Sequence, residues 1–232
     1  EKPNKNLSII DSKKKVTQFF QVIDTKISLK IFLEKLMKQR LVAFKLLLDD
    51  HNPLLSNLVG ISFCWSKNKV YYLDYLSIKK TDKKILQKLK LFFENTAIEK
   101  ISENLKYDIK ALVKYDIAIN GEMFDTMLAH YLINPDINHT TEVLSENYLN
   151  YSINPEGSKI DNTSEIANII LQLKGPLEDE LKVNKHISLY KEIEIPLLKV
   201  LAIMENEGVN IDIPWLSKLS KSTDQEIEKT KN

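Results

Sequence analysis

Apolar positions first organise near Val16, where VTQFFQVI (16–23) has the aromatic and β-branched content of a strand. From Ser28, SLKIFLEKLMKQ spaces its apolar residues for a helix, with the serine as the expected N-cap. Three strand patterns follow: LVAFKLLL (41–48), NLVGISFCW (57–65) and KVYYLDYL (69–76). The polar turn SKNK joins the last two tightly, so they should pair antiparallel. At Thr81 the period changes. TDKKILQKLKLFFEN predicts an amphipathic helix, AIEKIS a short strand, and LKYDIKALVKY and FDTMLAHYLIN two more helices. An antiparallel hairpin followed by alternating helices and strands predicts an α/β fold, a mixed sheet flanked by helices.

After Asn138 helical spacing dominates, through TTEVLSENYLN and SEIANIILQLK, with NPEGSKIDN between them read as a loop around Pro155 and Gly157. KEIEIPLLKVLAIMENEG predicts one long helix, kinked at Pro196 and ended by Gly208, and Pro214 suits the first turn of the next. The fold therefore carries a helical C-terminal extension. Residues 1–15, polar and lysine-rich without periodicity, read as a linker.

Composition narrows the function classes. With 232 residues and 43% hydrophobic content the chain can bury its own core. Its 33 basic and 32 acidic residues give no overall field toward nucleic acid or an anionic membrane. Arg40 is the single arginine, so bidentate phosphate or guanine recognition is nearly absent. The lone Cys64 excludes an internal disulfide and a cysteine-rich zinc site, and suits a buried strand position. No apolar run reaches the ~18 residues of a membrane span, and the opening residues lack a signal peptide's apolar core, which predicts a cytoplasmic, membrane-free chain; a monomer is expected. The glycosylation-type triplets at Asn138 and Asn162 then read as chance matches.

Generic chemical motifs are few. There is no phosphate-binding glycine loop, nucleophile-elbow serine or His pair at metal-ligand spacing, and His51, His130, His139 and His186 read as surface or satisfied residues. Asp108 and Asp125 remain, each near a helix start, where an acidic residue complements the helix dipole. One charge stands out. Lys45 interrupts an apolar strand between Phe44 and Leu46, and its simplest reading is an edge strand whose ammonium reaches solvent.

The stretch ENLKYDIKALVKYDIAINGEMFDTMLAHYLIN resembles the second exonuclease motif region of the 3′–5′ proofreading domain in bacterial DNA polymerase I, the Klenow-type family A polymerases. NLVGISF resembles the second strand of that domain, and IEIPLLKVLAIMENEGVNID the segment leading into the polymerase domain. The resemblance implies a ribonuclease H-like exonuclease fold over 16–192, with 193–232 beginning a polymerase domain of the same chain. It also implies a two-metal site held by an Asp-x-Glu, the NLKYD aspartate and a Tyr-x-x-x-Asp. Two hard cations that must ionise a water and neutralise a phosphate need that set of oxygen ligands.

In register with the family, its first aspartate falls on Lys45 and its glutamate on Leu47. Asp49 lies ~13 Å farther along the strand, and neither it nor Asp50 replaces them. The final aspartate falls on Ile166 and its tyrosine on Asn162, while Glu165 is turned ~100° away on its helix. Asp108 is the one family ligand retained. Of the side chains with which the family splays terminal bases, one corresponds to His51 and one to the polar loop around Glu156; Asn104 and Tyr107 remain as substrate-contacting candidates.

The resemblance with these departures predicts a non-catalytic exonuclease-like domain, a platform for DNA replication or repair synthesis. It would have no catalytic residues, metal or other cofactor, and weak affinity for single-stranded DNA or primer ends. Lys45 is expected to occupy the vacated metal position and pair with Asp108. Two other readings are a weak Mg²⁺- or Mn²⁺-dependent exonuclease using Asp108, Asp125, Glu165 and Asp49, and a single-strand-binding module.

Overall fold

The computed structural model describes residues 19–231, so the expected linker lies outside the described residues. Six strands form one mixed sheet: β1 (Phe19–Ile23), β2 (Leu41–Leu48), β3 (Leu58–Ser66), β4 (Lys69–Asp74), β5 (Glu99–Ser102) and β6 (Met123–Asp125), in the order β1-β4-β3-β2-β5-β6. The β3–β4 pair is antiparallel, as the tight SKNK turn predicts, and so is β2–β3, while β1–β4, β2–β5 and β5–β6 are parallel. The register slips between Leu47 and Leu48, a bulge at the end of β2. β2 is a central strand, so the edge-strand reading of Lys45 fails.

Near-continuous apolar runs in the central strands build the core on both faces. Phe44 and Phe63 are fully buried and meet Phe93 and Phe92 edge-on, at ring-centroid distances of 5.1 and 5.5 Å. Cys64 is buried in β3, as expected. Gly60 of β3 lies against the Tyr72 ring, where any Cβ would collide with the phenol.

The helices show where sequence signals mislead. In α1 (Lys26–Leu36) the cap is Thr25, and Ser28 is the third helical residue of a capping box, because both hydroxyls close reciprocally on the first turn. Asp74 ends β4 by accepting the Ser77 N–H at 3.0 Å, which starts α2 (Tyr75–Thr81) inside the expected strand; α3 (Ile85–Phe93) follows. α4 (Leu105–Val113) matches its prediction. The next expected helix is split: Met123–Asp125 completes the sheet as β6, and α5 (Thr126–Ile133) starts only after Asp125.

α6 (Thr141–Leu149) precedes α7 (Lys159–Val183), which begins inside the expected loop because Ser158 and Asp161 form a second capping box. α7 lies across β2 and β3. Then come the short α8 (Ile187–Leu189), a π-helical turn (Tyr190–Glu194), α9 (Ile195–Glu207) and α10 (Ile213–Lys231). The expected kink is thus a π turn ahead of Pro196, whose missing N–H is tolerated in the first turn of α9. Gly208 ends α9 at φ +70°. No described helix is long and apolar enough to cross a membrane.

Candidate functional site at the strand ends

The chemistry-bearing residues converge where β2, β5 and β6 run parallel and end. Ala43 pairs with Ile101, so Lys45 extends past the last β2–β5 pair, level with the residues that leave β5. Those residues are Ser102, Glu103 and Asn104. Lys45 pairs across to Ser62 on the other side, on the face covered by α7, where Ser62 Oγ lies 3.0 Å from Ser164 Oγ. The crevice beyond the carboxyl ends of parallel strands is the usual position for chemistry in open α/β sheets.

Lys45 is paired with Glu103, and this corrects the expectation of a Lys45–Asp108 contact. Its ammonium donates to Glu103 Oε2, with side-chain exposures of 24% and 13%. Glu103 Oε1 accepts from Thr141 Oγ1 at 2.6 Å and from the Thr141 N–H at 3.3 Å, so α6 holds the carboxylate in place. Burial works against the Lys45 charge, but Glu103 and then Asp108 outweigh it and raise the pKa. Burial likewise pushes Glu103 up, and Lys45 overcomes it, holding the carboxylate below its ordinary range. The sequence signal for Glu103 was its place beside NLKYD, but a glutamate just past a strand resembles any solvated loop acid.

Asp108 is 2% exposed in the first turn of α4 and accepts from Ser102 Oγ. Burial raises its pKa to about 7, with Lys45 and the serine hydroxyl pulling the other way. Asp125, equally buried, joins two helices: Oδ1 accepts the Leu128 N–H at 2.9 Å and Oδ2 the Leu105 N–H at 2.7 Å. Its pKa is also about 7, raised chiefly by burial. Its expected role at a helix start is thus realised twice over.

The remaining candidates are engaged in structure. Asn104 caps α4 by accepting the Tyr107 N–H at 3.0 Å, and Tyr107 is half-buried beside Lys45 and Asp108. Leu47 continues the Lys45 face of β2, partly buried. Asp49 clamps Asn57, accepting its N–H at 2.5 Å and its side-chain amide at 2.9 Å. Glu165 accepts from the Tyr151 hydroxyl and the Asn154 N–H, fastening that loop to α7. Ile166 packs against the core, and the buried Asn162 Oδ1 lies against Gly157. His51 and Glu156 are exposed loop residues. Two histidines that looked scattered do meet: His130 and His139 bring their Nδ1 atoms to 2.8 Å, and burial lowers both pKa values.

This donor set does not suit a pair of hard cations. Glu103 is neutralised by an ammonium, Asp108 accepts from a hydroxyl, and Asp125 spends both oxygens on helix N–H groups. Among the described residues, no group of three or more His, Cys, Asp and Glu is placed to hold a metal.

Comparison with known proteins gives the family. The 3′–5′ exonuclease model of family A DNA polymerases matches residues 20–173. A DNA polymerase I of Synechocystis is 31% identical over 234 aligned residues, covering 87% of this chain and 23% of that protein. The chain thus spans about a quarter of the length of such relatives. Among solved structures, the POL domain of Pol1 from M. smegmatis in complex with DNA primer-template and dNTP superposes with a TM-score of 0.76, at 19% identity, over 90% of this chain and 36% of that one. Escherichia coli RNase D, an exoribonuclease involved in structured RNA processing, gives 0.68 at 14% identity, over 82% of this chain and 51% of that one. These likenesses make the fold ribonuclease H-like. With the family model spanning the sheet and most of α7, the chain belongs to the 3′–5′ exonuclease domain family of DNA polymerase I.

Proposed function

We propose that the chain is an exonuclease-like domain without hydrolytic activity, a structural platform for DNA synthesis by a polymerase domain of the same, longer protein. One observation carries the reading: a lysine ammonium sits among Glu103 and Asp108, where the family's register calls for a metal-binding carboxylate. An ammonium neutralises carboxylates, but it offers no open coordination position to ionise a water or bridge phosphate oxygens. Leu47, Ile166 and Asn162 at the other ligand positions add no charged oxygen, which leaves Asp108 as a remnant.

Residues 16–192 form the exonuclease-like domain in this reading, and 193–232 begin the polymerase domain. The exposed Leu197, Val200, Ile203 and Trp215 of α9 and α10 suit cover by that domain. Any DNA contact would be weak, at single strands or primer ends, with Tyr107 the side chain able to stack on a base. Incubating the purified chain with Mn²⁺ and a 5′-labelled single strand tests the proposal. No shortening beyond the buffer control is expected; 3′ trimming that disappears in Asp108→Ala would overturn it.

A further inference from the structure

A cavity of about 410 Å³ opens beside the edge strand β6, between α7, the π-helical turn and the start of α9. It lies toward the N-terminal ends of β5 and β6, whereas the Lys45–Glu103 pair lies past their C-terminal ends. One wall is apolar: Met123, Phe124, Ile195 and Pro196. Charge lines the rest. Lys174 lies 5.7 Å from the Phe124 ring centre and is taken up by Glu99 at 3.3 Å and Glu178 at 3.1 Å. Lys191, on the π turn, and Lys199, one turn into α9, line the same space and form no ion pair among the described residues. The buried Lys100, its ammonium on the Asn95 and Asn120 carbonyls, adds positive potential next to Lys199. Against these stand Glu122, exposed at the rim, and Glu178, whose carboxylate feels the Lys191 charge as well as that of Lys174.

The backbone adds a directional feature. The Lys100 N–H bonds the Glu122 carbonyl at 3.0 Å, so residues 122 and 124 turn their peptide groups toward β5. Met123 and Asp125 therefore turn theirs to the open edge. At Asp125 the Tyr190 hydroxyl fills that edge, 2.6 Å from the N–H and 3.2 Å from the carbonyl oxygen. Two residues earlier, Met123 presents one N–H and one C=O where it lines the cavity. A donor and an acceptor side by side, an apolar wall and two unpaired lysines recognise a planar heterocycle carrying a phosphate.

We propose that this cavity binds a nucleoside monophosphate, its base edge on the Met123 peptide groups, its ring against the exposed Pro196, and its phosphate between Lys191 and Lys199. The volume is near the lower end of the roughly 300–1,000 Å³ of ligand cavities, room for one nucleotide and not for a strand. The site is independent of the chemistry at Lys45.

Titration calorimetry of the 232-residue chain with dAMP, and separately with inorganic phosphate, tests it. Saturable dAMP binding is expected, with phosphate weaker by about tenfold or more and the double variant Lys191→Gln/Lys199→Gln losing about tenfold in dAMP affinity. Lys30→Gln/Lys38→Gln, the same charge change at exposed lysines in and just after α1, should leave the affinity unchanged. Absence of dAMP binding, equal affinity for phosphate, or an equal loss in the α1 control each overturns the proposal.

Discussion

Removing the ammonium of Lys45 perturbs the site most directly. In Lys45→Met the stem volume is largely kept, but Glu103, 13% exposed, retains only its bonds from Thr141 and faces Asp108 without a cation. Glu103 can relieve this by taking up a proton, and that bounds the loss. From an ordinary glutamate pKa of about 4.3 to pH 7, at about 1.4 kcal/mol per unit, the ceiling is about 3.7 kcal/mol. This falls within the range of about 3–5 kcal/mol for breaking a buried pair. At pH 5 the ceiling drops to about 1 kcal/mol. The sign is consistent: the folded pKa of Glu103 lies below its ordinary value, so its contribution is present above about 4.3 and lost as pH falls through the folded value. Urea unfolding of the variant should show a loss of about 3 kcal/mol at pH 7 and about 1 at pH 5, with Lys45→Met/Glu103→Gln regaining most of the difference at pH 7. A loss below about 1 kcal/mol at pH 7, or the same loss at both pH values, would show that the ammonium does not hold the Glu103 charge in place.

Two further outcomes follow from the buried acids. Because burial raises Asp108 and Asp125 to about 7, each acid lowers stability progressively as pH climbs from about 3.9 to about 7 and adds no slope above that. Asp108→Asn should flatten that decline when urea midpoints are compared from pH 5 to 8, and an unchanged slope would count against it. Tyr190→Phe leaves the Asp125 N–H and carbonyl without their shared hydroxyl and should destabilise by about 1–3 kcal/mol, with faster hydrogen exchange at the Asp125 amide; unchanged exchange would contradict this.

The strand patterns at 41–48 and 57–65 were legible because apolar runs in a buried sheet leave no other use for such residues, and β2 and β3 follow them closely. β6 was not. Three residues are too short for a period, and Met123–Asp125 becomes a strand only because β5 offers a free edge. The boundary of β4 was misplaced for a related reason: Tyr75 continues the apolar pattern, and only the Asp74–Ser77 cap turns the chain into α2. At the site, the positions of Lys45 and Asp108 could be read from the linear register, but their contact could not. That Glu103 intercepts the ammonium depends on how far β5 runs before the chain turns into α4, which no local pattern encodes.

On the proposed reading, Lys45 and Glu103 are also coupled in a way that bears on how readily hydrolysis could return. An aspartate at position 45 would stand beside Glu103 and Asp108 with no cation between them, and Leu47 would contribute no ligand in exchange. Such a change would raise the local negative charge without completing a metal cage, so protonation of the carboxylates, and not metal binding, would relieve the repulsion at neutral pH. Several positions would have to change together: Lys45 and Leu47 on β2, Ile166 on α7, and the Glu103–Thr141 contact that now fixes the glutamate toward α6. Replacing Lys45 alone is destabilising, because its ammonium balances the charge of Glu103 and Asp108. On the proposed reading, the electrostatics that replaced the nuclease chemistry hold the platform in its present form.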